Sequence, residues 1–196
     1  MMQDAVAINP AASNRTAVEA SQTAHWAIVS DRTSIGWSAS KRYLMLIPVK
    51  AKGSFPGATG TVDIDRGDLT TARVEFRAPA ATQDSGIARR DEQLQSPDFF
   101  DGATHPWITF RSTKVQRLPG SDDRYAVTGD LGIKGAQYPV TLEGTWTPAS
   151  AGRARVELAG TVSRAALGLT WSGKPLVNLL DPIALTIDAE LEPVGR

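Results

Sequence analysis

Over most of its length the chain sets its apolar residues on alternate positions, and this period-two pattern restricts the fold more than any other property of the sequence. Val74 and Phe76 alternate with Arg73, Glu75 and Arg77. Further on, Ile108 and Phe110, then Tyr125, Val127, Leu131 and Ile133, then Val140 and Leu142, then Val156, Leu158 and Val162, and last Ile183, Leu185, Ile187 and Leu191 each keep one parity. Successive side chains of a strand point to opposite faces, so every run has one dry face and one wet face. Turn signals at Pro119-Gly120, Lys134-Gly135 and Pro148 to Gly152 separate the runs. Roughly seven to nine short antiparallel strands with almost no helix build an all-β barrel or sandwich. Glycines inside the strands favour the barrel, which hides every strand edge.

The chain of 196 residues suits one large β-domain. Residues 1–24, rich in Ala, Ser, Thr and Asn, bury too little to offset the entropy of ordering and read as a flexible arm; residues 25–193 form the barrel domain. Trp26 and Ile28, then Ile35, Trp37 and Ala39, read as two strands of a first hairpin turned by Ser30-Asp31-Arg32. Gly53, Gly57 and Gly60 around Phe55 mark one long strand that must bend. Between Arg164 and Asp181 the pattern loosens into a short helix or loop beside the barrel.

The alternation also breaks at Lys41 to Pro48, and from Arg90 to Phe110 it gives way to an irregular insertion. Ile87, Asp91 and Leu94 recur at helical spacing, with Arg89, Arg90, Asp91 and Glu92 supplying solvated charge on the other side. Such a helix is too short to stand alone and must lie on something apolar. We place it over the mouth of the barrel.

Composition removes several functional classes. With 21 basic and 21 acidic residues the chain has no overall field to draw it onto nucleic acid. It has no cysteine, and its two histidines, His25 and His105, lack the neighbours of a metal site. His105 before Pro106 reads as a turn residue whose ring bonds a nearby backbone group. No nucleophile elbow and no convincing acid, base or nucleophile set is present, so neither a catalytic nor a metal site is expected. The beginning of the chain lacks the pattern of a secretion signal, and no run approaches a membrane helix, so the expectation is a cytoplasmic protein with no stable membrane insertion, an exported form being the alternative.

Aromatic residues spread over most strands either fill a barrel of about eight strands or line a space for one small ligand; the residues fit both readings. Lys41, Arg42, Lys50 and Lys52 flank the glycine-rich strand and suit either a rim that pairs with an acidic head group or, more simply, a solvated face.

Four motifs in order settle a resemblance. Arg90-Asp91-Glu92-Gln93-Leu94-Gln95-Ser96-Pro97-Asp98-Phe99-Phe100-Asp101, His105-Pro106-x-Ile108-x-Phe110, Val127 to Gly135 and Pro139-Val140-Thr141-Leu142 resemble the YceI-like family of lipocalin-type proteins. The similarity runs from about Trp26 to Leu191. It implies an all-β, eight-stranded antiparallel lipocalin-like barrel with short helical insertions and an apolar tunnel that holds a polyisoprenoid, an isoprenoid quinone or a fatty acid derivative. No cofactor is implied beyond such a lipid ligand, and a homodimer is consistent with the family. The wall of the tunnel would be Trp37, Phe55, Phe76, Leu94, Phe99, Phe100, Ile108, Phe110, Leu131, Ile133, Leu167 and Leu169, with Gln93, Lys41 and Arg42 at the mouth. Gln93 stands where many relatives have His, and Ala165-Ala166-Leu167-Gly168 replaces an acidic-aromatic-Gly step, so the ligand is open to variation. The competing reading is a structural or stress-related interaction protein with a filled barrel.

Overall fold

The computed structural model describes residues 23–43, 47–169, 177–179 and 181–195. Its strands are β1 (Thr23–Ile28), β2 (Ser34–Tyr43), β3 (Ile47–Phe55), β4 (Thr59–Asp65), β5 (Arg73–Pro79), β6 (Trp107–Arg117), β7 (Arg124–Ile133), β8 (Ala136–Pro148), β9 (Ala154–Val162), β10 (Val177–Leu179) and β11 (Ile183–Pro193). One short helix, α1 (Ala88–Leu94), interrupts them.

Six of these segments are halves of three longer strands. Both β1 and β2 run antiparallel to β11, with Ile28 opposite Leu191 and Ser34 opposite Asp188. Opposite them, β4 pairs with β1 and β3 with β2. The short β10 continues the line of β11 along β2, setting Asn178 opposite Arg42. Joining the halves leaves eight antiparallel strands, and the β1–β11 pairing closes them into a barrel.

Ser30 to Arg32 is therefore not the turn of a hairpin. It is a 3-10 turn inside one strand, and the Val29 amide donates to the Glu190 carbonyl at 2.9 Å, so the chain stays on β11 through the break. Thr33 Oγ1 donates to the Val29 carbonyl (2.8 Å) and Arg32 Nη1 to Glu190 (2.9 Å), which fixes the step. Across it the core-packed residues change parity, from Trp26 and Ile28 to Ile35, Trp37 and Ala39. A second change occurs in β6, where a bulge between Ser112 and Lys114 turns Val115 into the core beside Ile108 and Phe110. The glycine-rich strand bends between β3 and β4 at Gly57, whose φ of +80° is accessible without strain only to glycine.

β1 begins at Thr23, two residues inside the stretch assigned to the arm; residues 1–22 and Trp171 lie outside the described residues. The loose segment after β9 is a turn, with the Leu167 amide donating to the Ser163 carbonyl (3.1 Å), and the three-residue β10 follows later.

Strand directions sort the connections onto two ends. The links 66–72, 118–123 and 149–153 lie at one end, where Val62, Ile64, Ala154 and Leu191 are buried and Trp26 meets Trp146 edge-on at 5.4 Å. Residues 80–106, the Lys134-Gly135 turn and residues 163–169 lie at the other.

Gly129 on β7 leaves the gap that the Phe110 ring occupies. A Cβ there would stand 2.5 Å from Phe110 Cζ and collide with the Arg111 carbonyl. We expect Gly129→Ala to cost about 1–3 kcal/mol through overpacking, read as a lower urea midpoint at an unchanged slope.

Candidate functional site

The mouth is built by residues 80–106, and each of its ties compensates for the shortness of α1. Residue 84 extends the sheet beside β3, the Ser54 amide donating to Asp84 O (2.8 Å) and the Asp84 amide to Ser54 O (2.9 Å). Gly53 permits this approach, because a Cβ would lie 2.8 Å from both Asp84 O and the Trp37 ring. Gln95 Nε2 donates to Ala80 O and Lys134 Nζ to Pro97 O, each at 2.7 Å, so the segment is held at its base and from the β7–β8 turn. Leu94, Phe99 and Phe100 are buried, and Phe100 meets Phe55 edge-on at 5.2 Å. Asp101, at φ 49°, closes the turn and accepts from the His105 amide at 2.8 Å. The His105 ring lies 3.9 Å from the Asp101 carboxylate and against Gly135, so the expected bond from the ring to a backbone group is replaced by these contacts.

Beneath this cap lies a cavity of about 330 Å³. That is within the range of small-molecule sites, roughly 300–1,000 Å³. Trp37, Phe55, Phe76, Leu94, Phe99, Phe100, Ile108, Phe110, Leu131, Ile133, Leu167 and Leu169 all face it, with Gln93 at its edge. Ile35, Ala39, Val140, Leu142, Val162, Ile183, Leu185 and Ile187 complete the wall. Their parity already marked most of these as inward. The side chains of Lys41 and Arg42 lie outside the described residues, while Lys50 and Lys52 are exposed on β3.

Three wall residues carry no such signal: Arg89, Arg90 and Arg164. Helical spacing assigned the first two to the solvent side of α1, and the mouth is itself on a solvent side. For the same reason Ile87, expected beneath the helix, is 49% exposed at the rim.

A smaller cavity of about 80 Å³ lies toward the closed end. Phe76, Phe110, Leu142 and Ile187 belong to both walls. Phe76 and Phe110, opposite each other on β5 and β6, stack at 5.3 Å with planes 19° apart and divide the interior. Removing one ring, as in Phe110→Ala, is expected to join the two spaces at a stability cost of about 3–5 kcal/mol; a crystal structure and an unfolding curve of the variant check both.

Among the described residues no three His, Asp or Glu side chains come together as a metal site requires, and no helix is long and apolar enough to cross a membrane. Asp91 is held below the usual carboxylate range, chiefly by hydrogen bonding from Ser85, with Gln83 and the Arg90 charge adding to it and loss of hydration opposing. Its ionised form accepts from the Ser85 amide at 2.9 Å and ties α1 to the preceding loop. A depressed carboxylate favours the fold when ionised, so the tie is complete at neutral pH and is lost as pH falls through the lowered value. Hydrogen exchange at the Ser85 amide is expected to accelerate only in acid below the ordinary Asp range, and already at neutral pH in Asp91→Asn.

Residues 26–191 match the YceI-like domain model. The chain belongs to the YceI-like domain family. Protein YceI of Escherichia coli O157:H7 is 35% identical over 91 residues, 46% of either chain, and the UPF0312 protein of Vibrio parahaemolyticus is 31% identical over 127 residues, 65% of this chain and 66% of that one. The matched stretch thus spans about half the length of the first of these relatives. Among solved structures, Burkholderia cenocepacia BcnA superimposes with a TM-score of 0.69 at 23% identity, covering 83% of this chain and 98% of its own. A polyisoprenoid binding domain from Saccharophagus degradans, implicated in plant cell wall breakdown, superimposes with a TM-score of 0.65 at 13% identity, covering 86% and 98%. At these identities the superpositions establish the YceI-like fold and nothing finer.

Proposed function

We propose that this YceI-like domain binds an amphiphilic lipid, an isoprenoid or acyl chain, in the barrel and carries or sequesters it without chemical change. The observation that supports this is the apolar cavity of about 330 Å³ reached from the capped end. A filled barrel acting through its surface would have no reason to leave that volume open, since interiors otherwise pack like organic crystals. The polyisoprenoid binding domain among its structural neighbours points the same way.

Magnitudes agree with a carrier. Burying a methylene contributes about 0.8 kcal/mol, so a tail of about ten contributes roughly 8 kcal/mol. Association costs about 4–15 kcal/mol. Binding through such a tail alone is therefore modest and reversible, as a carrier requires, and contacts at the mouth decide the remainder.

Protein purified under mild conditions is expected to carry lipid detectable by native mass spectrometry, and delipidated protein to take up the neutral probe N-phenyl-1-naphthylamine. Leu131→Trp, which adds bulk to the cavity wall, is expected to weaken uptake about tenfold or more while the fold persists, given that overpacking costs only about 1–3 kcal/mol. Neither co-purified lipid nor probe uptake in the wild-type protein would overturn the reading.

A further inference from the structure

The polar groups on the cavity wall are unbalanced in kind. Arg89, Arg90, Arg164 and Gln93 line it together with the Trp37 indole, and no carboxylate does among the described residues. On α1 the acidic neighbours face elsewhere: Asp91 is engaged by the Ser85 amide, and neither it nor Glu92 reaches the cavity. Arg164 is fixed in place, its guanidinium donating to the Leu169 carbonyl. The Asp181 carboxylate in the same loop is taken by the Arg164 backbone amide (2.6 Å) and the Ser163 hydroxyl (3.2 Å). None of the three arginines forms an ion pair among the described residues. Of the undescribed residues, 44–46, 170–176 and 180 include no Asp or Glu, while 1–22 include Asp4 and Glu19.

Arg164 Nε and Trp37 Nε1 are themselves closed off from the cavity, so what the wall offers a ligand is the positive charge of Arg89, Arg90 and Arg164. A cation left unpaired beside an apolar wall is costly. An oxygen supplied by a ligand removes that cost. If it carries charge, the low dielectric of the wall strengthens the attraction.

We infer that the mouth recognises an anionic head group, a carboxylate or a phosphate ester, on the amphiphile whose tail enters the barrel. The assignment rests on the lipid-binding reading above. Arg164 meets the head from the loop after β9, and Arg89 and Arg90 meet it from α1.

Calorimetric titration of the delipidated full chain with laurate, dodecyl phosphate and dodecanol tests it, because the three share a tail and differ in head. At least one of the anions is expected to bind tenfold or more tightly than the alcohol, and the tighter of the two identifies the head. In Arg89→Gln/Arg90→Gln, and separately in Arg164→Gln, the ratio of anion to alcohol affinity is expected to fall about tenfold. The helix double variant keeps the test valid should Arg164→Gln unfold, since Arg89 and Arg90 make no structural ion pair. Equal affinities for all three ligands, or an unchanged ratio in the helix variant, would sink the head-group assignment and leave lipid binding standing. Failure of all three to bind the wild-type protein would overturn the lipid reading beneath it.

Discussion

Closure of the sheet by the β1–β11 pairing is the constraint on which the other features depend. An open eight-stranded sheet would expose two edges and could flatten, bringing its inner side chains together until no space remained. Once Ile28 is paired with Leu191 and Ser34 with Asp188, the circumference is set and the inward residues must fill whatever radius results. They do so unevenly. At one end Val62, Ile64, Leu191 and the Trp26–Trp146 pair close the interior, in the middle Phe76 and Phe110 span it, and toward the mouth side chains of similar size leave a gap.

The mouth follows from the same geometry. β5 ends at Pro79 and β6 starts at Trp107, so β3, longer than the strand beyond it, has an edge at this end that, among the described residues, the Ser54–Asp84 bridge and the segment around it cover. A seven-residue helix contributes little stability of its own. Its position depends on a few hydrogen bonds, donated by Gln95 and Lys134 and accepted by Asp91, and on three buried side chains, Leu94, Phe99 and Phe100. Elements secured in this way open at lower free energy than barrel strands. The cap is thus the part of the molecule best suited to open without unfolding the sheet.

Much of this was legible in the residues because burial in a barrel repeats every second position. The apolar wall from Trp37 to Leu169 could be written down from parity and the resemblance. What escaped was whatever depends on a partner strand. The turn at Ser30 to Arg32 has the composition of a hairpin turn, and only the hydrogen bond from Val29 to Glu190 reveals that the chain continues along β11. The bulge that turns Val115 inward has no local signature, since Ser112, Thr113 and Lys114 are ordinary strand residues. The arginines of the mouth escaped for a different reason. Helical periodicity separates apolar from charged faces, but a helix lying across an opening has a solvent side that is also a ligand side, and the period cannot distinguish them.

A cavity walled by Leu, Ile, Val and Phe offers contacts that are non-directional and nearly proportional to area. Such a wall separates ligands by how much chain they bury, and the Phe76–Phe110 pair limits that length by dividing the space available. It cannot distinguish an isoprenoid from an acyl chain of equal area with much force, because a single methyl group alters binding only modestly. Directional selection has to come from hydrogen-bonding groups, and those facing the cavity are gathered at or near the mouth, donors almost without exception. A wall whose charged groups are all cations disfavours a ligand that brings no oxygen to them, since their charge then stays unpaired beside an apolar surface. On the proposed lipid reading, the head group is therefore the stronger determinant of identity, and the tail supplies affinity that any sufficiently long apolar chain can provide.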